Sequence, residues 1–307
     1  MQTIESSARV TTVLKHLTFV SVVALLGLGS WGQLPVKAQA LTPHVLQIET
    51  KQLEGIGATL LQESLQLAQL QQYDLALPRV ALASQLIPQN PEVWSLLGGL
   101  YLQTNETDRG IEALLRSHQL DAKNTSVLFA LGSAYFQKGL YNRSVDYLTK
   151  GLAIKPDVPG ALFDLGNAYL MLRRYDEAVT QYRKAMVQDP KFWPAINNIG
   201  LVEYERGQLD AAVRSWRKAA DLDPKAAEPR LAIAVALYKK GDREQGLALG
   251  EAAVELDSRY AELKFLKDNL WGDRLMQDAK VFLETPRMKA SIAQTRGNAP
   301  TRNRAAE

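Results

Sequence analysis

Residues 159–192 read PGALFDLGNAYLMLRRYDEAVTQYRKAMVQDPKF, and much of this pattern returns every 34 residues on either side. Gly98, Gly132, Gly166 and Gly200 stand at that interval, as do Pro156, Pro190 and Pro224, with Pro88 two periods before Pro156. Tyr101, Tyr135 and Tyr169 keep the same step, and so do the pairs Ala178 and Ala212, Ala185 and Ala219. A period of this length belongs to stacked supersecondary units, each too small to bury its own apolar face.

Within the quoted stretch, Leu162, Leu165, Gly166 and Tyr169 share one helical stripe. Arg173 and Arg174 fill a turn where neighbouring copies carry Gly139 and Gly207. Asp176 and Glu177 open a second helix at the end where the helix dipole favours acids. That helix presents Ala178, Tyr182 and Ala185 and stops near Asp189-Pro190, because proline cannot continue it. Small residues at 166, 178 and 185 allow close backbone approach, and the tyrosines fill what remains.

The pattern resembles the tetratricopeptide repeat. On that family's frame six units tile residues 57–260, beginning at Gly57, Pro91, Thr125, Pro159, Trp193 and Ala227. The four inner units match well. In the outer two, Ser64 and Ala234 replace the glycine, and Ser258 stands where the last proline is expected. The expectation is an all-α, right-handed solenoid of about six helix-turn-helix units. Pro78 lies just after Asp74, in a first turn whose backbone donors are unpaired anyway, so the helix there is kept.

The ends differ from the body. Arg9 and Lys15 precede an uncharged apolar run from Leu17 to Trp31, then Pro35 and Ala38-Gln39-Ala40. A basic region, a short apolar core and a small-x-small site make residues 1–40 an export signal cut after Ala40, or, uncut, an anchor. Residues 41–56 are read as a lead-in to the first helix, and 261–285 as a capping segment with Leu263, Leu266, Leu270, Trp271, Leu275, Met276, Ala279 and Phe282 on its apolar side. Pro286 is expected to end it, leaving 286–307 as a basic, disordered tail. The export signal and domain plan look like exported cyanobacterial repeat proteins, some of which help assemble photosynthetic membrane complexes. The expected location is therefore the periplasm or a thylakoid lumen, with membrane contact through an uncut leader or the tail.

Charge narrows the partner. The chain has 36 Lys and Arg against 33 Asp and Glu. Without residues 1–40 and the tail, the body is 28 against 31, which lacks the concentrated basic face nucleic acid requires. There is no cysteine, hence no disulfide and no lipidated cysteine. His44 and His118 are isolated, so no metal site is expected, and no hydrolase, zincin or phosphate-loop motif appears. Glu203 and Glu205 are assigned to solvent-facing positions. The reading is non-catalytic, without cofactor.

What remains is the concave face, which the resemblance assigns to first-helix positions 2, 5, 6, 9, 12 and 13. Carried onto this chain, they give Phe129, Ser133 and Phe136, then Phe163, Asp164, Asn167 and Leu170, then Asn197, Asn198, Leu201 and Tyr204, then Leu231, Val235 and Tyr238. The asparagines are expected to hydrogen-bond an extended peptide flanked by aromatic side chains. The family's clamp for acidic C-termini is not reproduced, since Phe163, Glu228 and Ala232 replace its cations. An apolar or neutral protein segment is the expected ligand. The alternative is a membrane-tethered scaffold that associates through the solenoid ends, using Trp271, Phe282 and the tail.

Overall fold

In a computed structural model, residues 50–297 are described; the expected export signal, with Ala38 and Ala40, lies outside them. Twelve helices form six antiparallel hairpins: α1 (Thr50–Gln69) with α2 (Tyr73–Leu86), α3 (Pro91–Gln103) with α4 (Thr107–Leu120), and α5 (Thr125–Gln137) with α6 (Tyr141–Ile154). They continue as α7 (Pro159–Met171) with α8 (Tyr175–Gln188), α9 (Trp193–Glu205) with α10 (Leu209–Leu222), and α11 (Ala227–Lys240) with α12 (Arg243–Leu256). Each second helix packs on the first helix of the next hairpin, which makes an α-solenoid with no strand among the described residues. A 3-10 turn at Ser258–Ala261 leads to α13 (Leu263–Asp268), α14 (Asp273–Leu283) and α15 (Pro286–Gly297).

The glycine ladder has a steric cause. A Cβ on Gly166 would lie 2.4 Å from Tyr182 Cε1, and one on Gly200 would lie 2.4 Å from Trp216 Nε1. Gly132 faces Leu148 and Gly98 faces Leu114 in the same way. In each of these four hairpins the glycine accepts the large residue found 16 positions later on the second helix. The last hairpin inverts this arrangement. Ala234 replaces the glycine, Gly250 replaces the large residue, and Phe282 from α14 fills the space over Gly250.

Turns and caps follow local chemistry. Gly139, Gly207 and Gly241 take positive φ between paired helices, where Gln71, Asn105 and Arg173 do so in the other hairpins at the strain of a side chain. Asn90 and Asn124 cap α3 and α5, the Asn90 side chain accepting the Glu92 N–H at 2.8 Å. Ion pairs spaced 30 residues apart tie successive hairpins: Lys138 with Asp108, Arg206 with Asp176 at 2.6 Å, and Lys240 with Asp210. Asn142 and Leu172 occupy the corresponding places between the third and fourth hairpins.

Two boundaries differ from expectation. Helix α1 begins at Thr50, inside the supposed lead-in. Residues 286–297 are helical where a disordered tail was expected. Pro286 starts α15 because the first helical position does not need the missing N–H. Met288 is then fully buried, and Arg287 bridges Glu251 at 2.8 Å and Glu244 at 2.9 Å on α12.

Candidate functional site: a concave groove half filled by its own chain

The first helices carry the groove. Across α7, α9 and α11 its floor is a chain of buried polar groups. Tyr182 donates its hydroxyl to Asn167 Oδ1 at 2.8 Å, and Asn198 Nδ2 donates to the same oxygen at 2.9 Å. Asn197 Nδ2 donates to Asn198 Oδ1 at 3.1 Å. Glu228 ends the row and accepts the Trp271 indole N–H at 3.1 Å. Burial pushes the Glu228 carboxyl up to about 7, against the opposing effect of hydrogen bonds from Asn197, Trp271 and Tyr260. Burial also raises the Tyr182 hydroxyl above its ordinary range. The asparagines thus bond to one another and to Tyr182, where an exposed row for a peptide backbone was expected. The physical reason is coverage: a buried amide must find partners inside the protein.

The cover is the C-terminal segment. Helix α14 lies on α9 and α11, with Leu275, Ala279 and Phe282 buried beneath it. Tyr204, fully buried, donates to Asp278 Oδ2 at 2.8 Å, and Lys239 pairs with Asp278 Oδ1 at 2.7 Å. Glu205 accepts the backbone N–H groups of Arg274 at 3.2 Å and Leu275 at 3.0 Å, capping α14 from another helix. Tyr238 meets Phe282 edge to face with ring centroids 5.4 Å apart, and Arg173 pairs with Asp273. Leu201, Leu231 and Val235 are buried. Glu203 and Glu205 are therefore not free surface acids: Glu203 accepts the Ser215 hydroxyl at 2.6 Å. Trp271 and Phe282 are buried too, which removes the apolar surface that the end-on scaffold alternative needs.

The phenylalanines also have intramolecular work, because each meets a complementary surface. Phe129 lies against Gly151 of α6, at a distance that a Cβ there would violate. Phe163 packs on Tyr182 at 5.7 Å and on Phe192 at 5.2 Å, and Phe136 on Tyr141 at 5.3 Å. All three remain half-buried.

The N-terminal half of the groove is open. A recess of about 640 Å³ runs between α1 and α3, with Leu65, Leu96, Gly99 and Gln103 on its walls. Leu65 is 40% exposed, and a Cβ on Gly99 would meet nothing within 4 Å. Further along, Ser133 donates its hydroxyl to Asp164 Oδ2 at 2.8 Å, and burial raises the Asp164 carboxyl above its usual range. Sequence reasoning named Asp164 but missed Glu205, Asp278 and Trp271 as site-forming groups. Their partners lie 43 to 74 residues away, outside any repeat period. No cluster of metal-ligating side chains occurs among the described residues, and none of their helices is long and apolar enough to cross a membrane.

Residues 128–191 match a tetratricopeptide repeat family model, and residues 200–241 match a second model of the same repeat. The helical hairpins within those two stretches are similar to tetratricopeptide repeats. Solved repeat structures agree on the fold. The Pseudomonas aeruginosa pilF structure superposes with a TM-score of 0.57 at 14% identity, covering 71% of this chain and 98% of that one. A MamA protein gives 0.50 at 26% identity, covering 58% and 94%. MamA from Desulfovibrio magneticus RS-1 gives 0.51 at 20%, covering 55% and 95%. No curated protein matches the chain. Solenoids of this repeat generally serve as non-catalytic scaffolds for protein–protein interaction.

Proposed function

We propose that this chain is a non-catalytic adaptor that holds a segment of another protein along the open concave face of α1, α3, α5 and α7. The observation that carries this reading is the occupied half of the same groove. There α14 is seated as a ligand would be, with apolar side chains inward, its N-terminus capped by Glu205, and Asp278 held by Tyr204 and Lys239. The concave surface is thus suited to receive a peptide segment, and Leu65, Leu96 and Gly99 present an apolar continuation of it. Export rests on the basic, apolar and Ala-x-Ala order of residues 1–40, and assembly of a membrane complex in a periplasm or lumen is the task proposed for it.

Site-specific photocrosslinking tests the groove. A benzoylphenylalanine at Leu96 is expected to trap a partner that the same probe at Val187, 77% exposed on α8, does not trap. Equal adducts from both positions would overturn the groove assignment.

A further inference from the structure

The two halves of the groove treat carboxylates differently. In the covered half, Glu205 receives two backbone N–H groups from α14, and Glu228 receives the Trp271 indole N–H. The C-terminal segment supplies donors to both carboxylates. In the open half, the concave positions of α1, α3, α5 and α7 include two acids, Glu92 and Asp164, and no lysine or arginine. Asp164 is half-buried between α5 and α7, yet its one hydrogen bond among the described residues comes from the neutral Ser133 hydroxyl. The cations at the ends of these helices are already engaged, Lys138 with Asp108 and Arg173 with Asp273. A carboxylate taken partly out of water with a single neutral donor is under-compensated, and a cationic donor restores the balance. Phe129 and Phe136 lie one helical turn to either side of Ser133 on α5, so apolar surface flanks the acid along the groove.

We infer that the segment received by the open groove is apolar but carries one lysine or arginine, whose head group pairs with the carboxylate of Asp164. This rests on the groove reading above and replaces a purely neutral ligand with a singly cationic one. The clamp logic is the reverse of one for acidic C-termini: the groove supplies the anion and the partner the cation. A metal ion is a poor occupant, since one carboxylate and one hydroxyl make too few ligands.

The test is selection of a random ten-residue peptide library on the full chain, on Asp164→Asn and on Gly99→Trp. Asp164→Asn keeps the shape and the Ser133 contact, and thermal melting checks its fold. The wild-type pool is expected to carry Lys or Arg at one fixed place among apolar residues, and the Asp164→Asn pool to keep the apolar residues without the cation. A selected peptide should bind about tenfold more weakly to Asp164→Asn, and equally weakly to wild type when its lysine is replaced by norleucine. A wild-type pool without a cation, or one whose cation persists in Asp164→Asn, overturns the inference and leaves the groove intact. Peptides that bind Gly99→Trp as well as wild type, or no selected peptides at all, overturn the groove reading and this inference with it.

Discussion

Gly99 and Gly200 are both mid-helix glycines on first helices, and their surroundings give them opposite roles. At Gly200 the indole of Trp216 lies where a Cβ would be, 2.4 Å away, and Trp216 is fully buried. Gly200→Ala is therefore expected to destabilise the fold by about 1–3 kcal/mol through overpacking. At Gly99 the space is empty, so alanine relieves the entropic cost of glycine and is expected to stabilise by about 0.5–1 kcal/mol. Chemical denaturation of the two variants checks the pair, and equal shifts would contradict the packing described. The period alone marks Gly200 as structural, because its role repeats. Gly99 stands outside the ladder, and only the tertiary structure shows that it borders open groove.

At the scale of elements, the last hairpin is incomplete without α14. Its second helix carries Gly250 where its neighbours carry Tyr182 or Trp216, and Phe282 replaces the missing bulk from outside the repeat. Phe282 is fully buried and also meets Tyr238. Phe282→Ala is expected to cost about 3–5 kcal/mol and to raise hydrogen exchange first in α11 and α12. Uniform loss of protection along the solenoid would argue against this local role. The apolar stripe of residues 263–282 is legible in the sequence, and so is a capping duty for it. Which face it covers is not, because helical periodicity gives one helix's stripe and says nothing about its destination. Likewise α15 was hidden by a basic composition that reads as disorder until Arg287 is seen between Glu244 and Glu251.

Across the whole molecule, the buried row from Tyr182 to Trp271 joins three hairpins and the C-terminal segment, and Glu228 makes it sensitive to pH. Its carboxyl titrates near 4.5 when exposed and is pushed up to about 7 in the fold. Between those values the native state holds a proton that the unfolded chain has lost, so the contribution of Glu228 to stability is fully present below about 4.5 and is lost as pH rises to about 7. The loss attributable to this group is about 3 kcal/mol over that interval. Glu228→Gln cannot ionise and keeps an oxygen that accepts the Trp271 indole N–H. The variant is expected to gain on the wild type as pH rises from 5 to 8, read as a widening difference in melting temperature. A constant difference would show that Glu228 does not titrate in this range.

The 34-residue period by itself determined the hairpins, their number, their close contacts and the class of fold. Each of these follows from local helix propensity and nearest-neighbour packing, which repeat with the sequence. Tertiary structure alone decided which part of the concave face is available. Glu205 meets Leu275 across 70 residues, and Glu228 meets Trp271 across 43. These contacts come from one chain terminus folding back on the groove, so no repeat encodes them. They withdraw Asn197, Asn198 and Tyr204 from solvent and leave the surface from Leu65 to Asp164 uncovered by the C-terminal segment.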